Sequence, residues 1–213
     1  GGTQIIAAQP IKRDTTMLQQ REVERYDFEA TRNGTDAVII EQNGWRIEKG
    51  SVWEDGALYN EYAPAKDFYK IQKKFYPNGI MRRKTSLFGG VVIGIYEEYD
   101  EEGNLLKVVD EDKKFGKIKP KDIVELLEKE GWFNRETGEN KITEKEVLPT
   151  TGVFYREIIK YVQIRYVPKQ ATREKSYWKI AIEPRFMMWI TTYIVDGETG
   201  EFTKEKTFEM REE

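Results

Sequence analysis

The stretch FYPNGIMRRK at 75–84 returns in altered form 24 residues later as YDEEGNLLKV at 99–108. Each copy has an aromatic residue, a three-residue polar or proline-containing tip, a glycine (Gly79 or Gly103) and then a strand-like run. Glycine adopts the positive φ of a tight turn without steric cost, so both copies read as hairpin tips. Around them the runs FYKIQKKFY, GIMRRKTSLF, VVIGIYEEY and NLLKVVD are separated by PNG, GG and DEEG, the punctuation of an antiparallel meander. Within IYEEY, alternation sets Ile95, Glu97 and Tyr99 on one face and Tyr96 and Glu98 on the other. Neither face is wholly apolar, so this sheet is expected to be solvated on at least one side.

Upstream, short β-rich runs begin at Ala37 (AVII, then WRI), cut by the turn dipeptides Asn33-Gly34, Asn43-Gly44 and Asp55-Gly56. Residues 1–28 contain Pro10 and the charge-mixed TTMLQQREVERYDF, which has no clean apolar stripe and reads as a lead-in segment joining the first sheet late. Downstream, DEDKKFGK at 110–117 reads as a solvated linker. A helix is expected next: Pro120 suits its first turn, Asp122 its positive end, Ile123, Leu126 and Leu127 one side, and Gly131 its stop. A loop-rich region follows from Trp132 to Gly152. Strands are then expected at 161–167, 176–183 and 190–196, with a turn at 197–200 and a last strand from Phe202 to Met210. The expectation is an α+β fold: an N-terminal antiparallel β-meander of hairpin repeats, then a helix packed on a four-stranded antiparallel sheet. Its segments are a lead-in at 1–28, a β-repeat unit at 29–112 and an α+β unit at 113–213.

Composition narrows the chemistry. The 213 residues include 12 tyrosines, 10 phenylalanines and five tryptophans, enough bulky apolar area to fold even though 34% of the chain is charged. The 38 acids and 35 bases leave a net charge of -3, so no global positive field draws phosphate backbones, and no nucleic-acid partner is expected. Cysteine and histidine are both absent. That excludes disulfides, thiolate nucleophiles, Ser-His-Asp and Cys-His catalysis, and every metal motif built on those ligands. The longest apolar stretches, VVIGIY at 91–96 and FMMWI at 186–190, fall well short of the roughly 20 residues of a spanning helix. The start at Gly1-Gly2 reads as a processed or engineered end from which an export signal has been removed.

Two stretches carry resemblances. FYPNG, YDEEG and the intervening GGVVIGIYEEY, with Gly94 before Tyr96 and Tyr99, resemble the MORN-like repeat variant of antitoxin-component type over roughly residues 68–110. PKDIVELLEKEG, SYWKIAIE and especially YIVDGETGEF at 193–202 resemble PepSY-like domains, small secreted or envelope modules with a helix on an antiparallel sheet. The helix lacks the alanine-rich face usual in that family, and a long segment separates it from the sheet strands. Together the resemblances imply an exported bacterial protein, secreted or periplasmic, with lipid anchoring through a removed N-terminal segment as one form, used for interaction more than for chemistry.

Candidate sites are few. Asp110-Glu111-Asp112 begins like a calcium loop, but Lys114, Phe115 and Lys121 stand where a ligand, the sharp-turn glycine and the closing carboxylate belong. Asp196, Glu198 and Glu201 read as a solvated turn shaped by Gly197 and Gly200. Glu97 and Glu98 point to opposite faces and cannot flank one glycosidic bond. Lys73-Lys74 and Arg82-Arg83-Lys84 near Tyr69, Phe75 and Tyr76 read as charge protecting a sheet edge. No catalytic, cofactor-binding or metal residue is expected, and no cofactor. Gly79, Gly94, Gly103, Gly197 and Gly200 are expected to shape turns. Phe186, Met188 and Trp189, beside Met187 and after Pro184, and Trp132-Phe133 after the helix read first as core packing with an interface as the alternative; the Phe186, Met188 and Trp189 cluster becomes the contact patch if it is exposed. The function expected is a non-catalytic module that binds a protein or peptide in the cell envelope. The alternatives are a small-molecule or glycan binder with an aromatic-lined cleft, and a carboxylate-based hydrolase.

Overall fold

The computed structural model describes residues 23–28, 38–42, 45–53, 56–63, 68–137, 139, 141–147, 154–159, 162–183 and 189–209. Its first seven strands form one antiparallel sheet in sequence order: β1 (Val38–Gln42), β2 (Trp45–Trp53), β3 (Gly56–Tyr62), β4 (Tyr69–Phe75), β5 (Met81–Phe88), β6 (Val91–Tyr99) and β7 (Leu105–Asp110). A 3-10 turn (Glu111–Lys114) and the helix α1 (Pro120–Lys129) follow. Then come a two-stranded pair, β8 (Thr143–Val147) with β9 (Phe154–Ile159), and a four-stranded antiparallel sheet of β10 (Val162–Val167), β11 (Tyr177–Ile182), β12 (Trp189–Asp196) and β13 (Phe202–Phe208). The described chain is thus mostly antiparallel strand with one helix, α+β in class.

The two copies of the repeat fold alike. Phe75 and Tyr99 end β4 and β6, each at a register shift. Beyond each, the tip closes in the same way: Tyr76 N–H donates to the Ile80 carbonyl (2.8 Å) and Asp100 N–H to the Asn104 carbonyl (2.9 Å). Gly79 and Gly103 stand at φ +90° and +89°. The tips also touch, because the Tyr76 hydroxyl donates to the Tyr99 carbonyl (2.8 Å) and Asn78 Nδ2 to the Glu101 carbonyl (2.9 Å). Phe75, Met81 and Tyr99 then meet Tyr26 and Ala57 in a small apolar core at this end of the meander. Residues 23–28 reach it by backbone bonds, from Tyr26 N–H to the Gly79 carbonyl (2.8 Å) and from Met81 N–H to the Glu24 carbonyl (2.9 Å).

The other end of the meander meets the second sheet. Gly89 and Gly90 turn β5 into β6, and a Cβ on Gly89 would lie 2.9 Å from the Ile164 Cβ of β10. Glycine here lets two backbones approach. The main core begins at this contact, with Phe68, Phe88 and Val91 of the meander packed among Ile123, Val124 and Leu127 of α1 and Ile164, Trp178, Ile180, Tyr193 and Val195 of the four-stranded sheet. Strict alternation in β11 explains the last group, since Trp178, Ile180 and Ile182 share its inner face and are fully buried. In α1, spacings of three and four carry Ile123 and Leu127 to the same side, and Gly131 at φ +82° ends the helix with Trp132 N–H bonded to the Leu127 carbonyl (3.1 Å).

Four local expectations are corrected. Gly94 is not in a turn: it lies inside β6 at φ +64°, in a bulge where residues 94–96 face Thr85 alone, and its N–H donates to Asp112 Oδ1 (2.9 Å). The same bulge turns Ile95 out to solvent while Glu97 and Tyr99 stay buried. The stretch 110–117 is no solvated linker, because Phe115 stacks on Trp178 at 5.0 Å and the Tyr166 hydroxyl holds the Lys114 carbonyl at 2.9 Å. One buried aromatic outweighs the surrounding charges, of which Lys114 is itself held by Glu111 and the Val92 carbonyl. The region read as loop-rich contains β8, whose sequence TEKEV offers no apolar alternation to mark a strand and which is defined instead by pairing with β9.

Candidate functional site: an open sheet edge

β13 closes the four-stranded sheet on one side and has no strand beyond it among the described residues. Its sequence, FTKEKTF, alternates, and all seven residues are exposed. The register with β12 pairs Phe202 with Val195, Lys204 with Tyr193, Lys206 with Thr191 and Phe208 with Trp189. These four side chains therefore continue the inner face of the sheet, and Thr203, Glu205 and Thr207 continue the outer face. The inner face is the core-forming one, yet at this edge it runs out into solvent. Phe202, Phe208 and Trp189 remain 41%, 46% and 51% exposed.

Two of the three rings form a pair: Trp189 and Phe208 meet edge-on with centroids 5.2 Å apart. Phe202 leans on Tyr193 at 5.8 Å. Between them, Lys204 Nζ lies 3.2 Å from Glu130 Oε1 at the end of α1 and 5.6 Å from the centre of the Tyr193 ring. Its bond to Glu130 raises the Lys204 pKa further, so the ammonium is fully charged at neutral pH. Full burial of a phenylalanine side chain stabilises by about 1.5–3 kcal/mol, so these half-exposed rings are where a partner gains most.

A shallow cleft of about 400 Å³ opens beside the start of β13, with Ser176, Tyr177, Asp196, Glu201 and Phe202 in its lining. Asp196 is held by the turn: its carboxylate accepts from Glu198 N–H (2.8 Å) and Thr199 N–H (3.0 Å), which lower its pKa. Gly200 takes φ +76° in this turn. Gly197 answers a different demand, since a Cβ there would meet Ser176 Oγ at 2.2 Å.

A second polar cluster lies on one face of the meander. Lys73, 8% exposed, binds Glu24 Oε2 at 2.7 Å and Glu61 Oε1 at 3.2 Å. The Tyr59 hydroxyl donates to Glu61 (3.0 Å), and burial, then the Glu61 charge, push its pKa well up. On the adjacent strand pair the Tyr99 hydroxyl donates to Glu97 (2.9 Å). Both carboxylates beside Lys73 share one ammonium, an ionic triad set within the sheet. The neighbouring Lys74 and Arg83 fall on the opposite face in a cross-strand row with Glu98 and Lys107.

No family model, curated protein or solved structure matches the chain.

Of the contact patch read from sequence, Trp189 is exposed at the start of β12, and Phe186 and Met188 lie outside the described residues. Phe133 is buried, and Trp132 donates its indole N–H to the Tyr193 hydroxyl (2.9 Å). Asp110 caps the 3-10 turn through Asp112 N–H (3.1 Å), and Asp112 holds Gly94, so these carboxylates serve the backbone. Among the described residues no three acidic side chains converge as a metal site, and no helix is long and apolar enough to cross a membrane. Sequence reading did not single out Phe202 and Phe208 as exposed rings. The signal was present in FTKEKTF, a strand pattern with an aromatic at each end and only short polar or charged residues between.

Proposed function

We propose that this chain is a non-catalytic interaction module that takes an extended protein or peptide segment as an added strand on β13. The observation that carries the reading is the exposed Trp189–Phe208 pair standing on a sheet edge that has no strand beyond it among the described residues. An edge offers a row of backbone donors and acceptors for affinity, and flanking rings supply apolar area and register. The exported, envelope-associated setting, secreted or periplasmic, rests on the resemblance to MORN-like and PepSY-like modules.

The test is retention of an envelope partner by the full chain, compared with Trp189→Ala, together with amide hydrogen exchange across 202–208. We expect a defined partner whose retention falls about tenfold or more in the variant, as for an interface anchor, and whose binding slows exchange along β13. A partner held equally by both, or one that protects other strands, overturns the reading. A small-molecule or glycan site is the second reading. It is favoured by the cleft in which Tyr177 and Phe202 both take part, and there Trp189→Ala leaves binding intact.

A further inference from the structure

We infer that the strand accepted at β13 belongs to a different protein and carries acidic residues on the face that meets Lys204 and Lys206, between apolar residues that meet Phe202 and Phe208. The inference rests on the strand-capture reading above and assigns the chemistry of the partner.

The sequence 202-FTKEKTF-208 reads the same in both directions. A palindromic edge strand invites antiparallel pairing with a second copy about a two-fold axis through Glu205. That pairing would match Phe202 with Phe208 and Thr203 with Thr207. It would also set Lys204 against Lys206 twice and Glu205 against itself. A two-fold axis normal to the sheet keeps each residue on its own face, so the register can shift only by even steps. A shift by two sets Lys206 or Lys204 against itself. The central register and both shifts by two therefore oppose like charges, and like charges directly opposite each other are unfavourable. Lysines on an edge strand act against self-association in this way.

The same pattern selects a partner. Acidic residues opposite Lys204 and Lys206, with a basic residue between them opposite Glu205, turn each of these contacts favourable. Glu130 already sits 3.2 Å from Lys204, which shows an acidic group accommodated on this face, and leaves Lys206 as the ammonium farther along the edge. At the far end an apolar side chain opposite Phe208 also meets Trp189, which lies 5.2 Å from that ring.

Two fluorescein-labelled peptides test this against the full-length chain at low salt. One is Val-Thr-Glu-Lys-Glu-Thr-Val, which presents the same face in either strand direction; in the other both glutamates are lysines. We expect the acidic peptide to bind about tenfold more tightly by anisotropy, with a shift in Trp189 emission, and the preference to vanish in Lys206→Glu. Equal binding of both peptides, weakened for each by Trp189→Ala, overturns the acidic selection and leaves strand capture standing. Binding of neither peptide overturns strand capture at this edge as well. A concentration-dependent dimer in sedimentation that is lost in Trp189→Ala overturns the assignment to a different protein. All of Lys206 lies on an exposed strand, so its variant reports charge rather than folding, and the peptide exchange needs no variant at all.

Discussion

At the residue scale, two glycines with positive φ make separable demands. Gly131 (φ +82°) has nothing within 4 Å of where a Cβ would stand, so Gly131→Ala carries only the left-handed backbone strain, about 1–2 kcal/mol. Gly89 (φ +55°) carries that strain and a collision with Ile164, whose branched Cβ would be 2.9 Å away and belongs to a strand that cannot retreat without opening the core. Gly89→Ala is therefore expected to destabilise by clearly more than Gly131→Ala, read as the difference in urea midpoints at unchanged slope; equal losses would mean that the two sheets do not meet at this turn. Gly79 and Gly103 were legible as hairpin tips because the demand on them is local. Gly94 was not, because its position depends on a bulge that only pairing with β5 creates, and neither was the collision of Gly197 with Ser176.

At the scale of the element, the two copies of the repeat share a backbone and differ in what holds it. In the second tip Asp100 accepts from Glu102 N–H (3.0 Å), Asn104 N–H (2.8 Å) and Asn104 Nδ2 (3.1 Å). The matching residue of the first tip is Tyr76, and there Asn78 Oδ1 takes over by accepting from Ile80 N–H (3.0 Å). The backbone bond from Asn104 first, and the other donors after it, hold the Asp100 pKa below the ordinary carboxylate range. A carboxylate depressed in the folded state contributes stability above its unfolded pKa and loses it as pH falls through the folded value. Asp100→Asn is therefore expected to be less stable than the wild type at neutral pH, with the gap closing as pH falls through and below the ordinary carboxylate range. Urea midpoints measured across that range check it, and a gap independent of pH would remove the carboxylate from the account. The repeat, α1 and all four strands of the C-terminal sheet could be read to within a residue or two, since period and turn chemistry act over a few positions. β8 escaped because TEKEV carries no local signal.

At the scale of the whole molecule, Trp178 is the point where the pieces meet. It stacks on Phe115 from the 3-10 turn, lies edge-on to Phe88 from the meander at 6.0 Å, and gives its indole N–H to the Ile118 carbonyl (3.2 Å) ahead of α1. Trp178→Ala is expected to cost about 3–5 kcal/mol. Because one core draws on both sheets, unfolding followed by far-ultraviolet circular dichroism and by aromatic fluorescence should give coincident transitions in the wild type; separated transitions would mean that the meander and the four-stranded sheet unfold independently. The sequence alone determined what short-range physics controls: the hairpin tips, the helix with its first turn and stop, the alternation in β11 and the absence of histidine and cysteine chemistry. Only the tertiary structure decided that Phe115 belongs to the core, that Gly89 is a junction between sheets, and that FTKEKTF lies at an edge with no strand beyond it among the described residues, its two half-exposed rings beside that of Trp189. Alternation tells which residues share a face, but whether a face is covered depends on segments distant in the chain, and no local pattern records what lies beside the last strand.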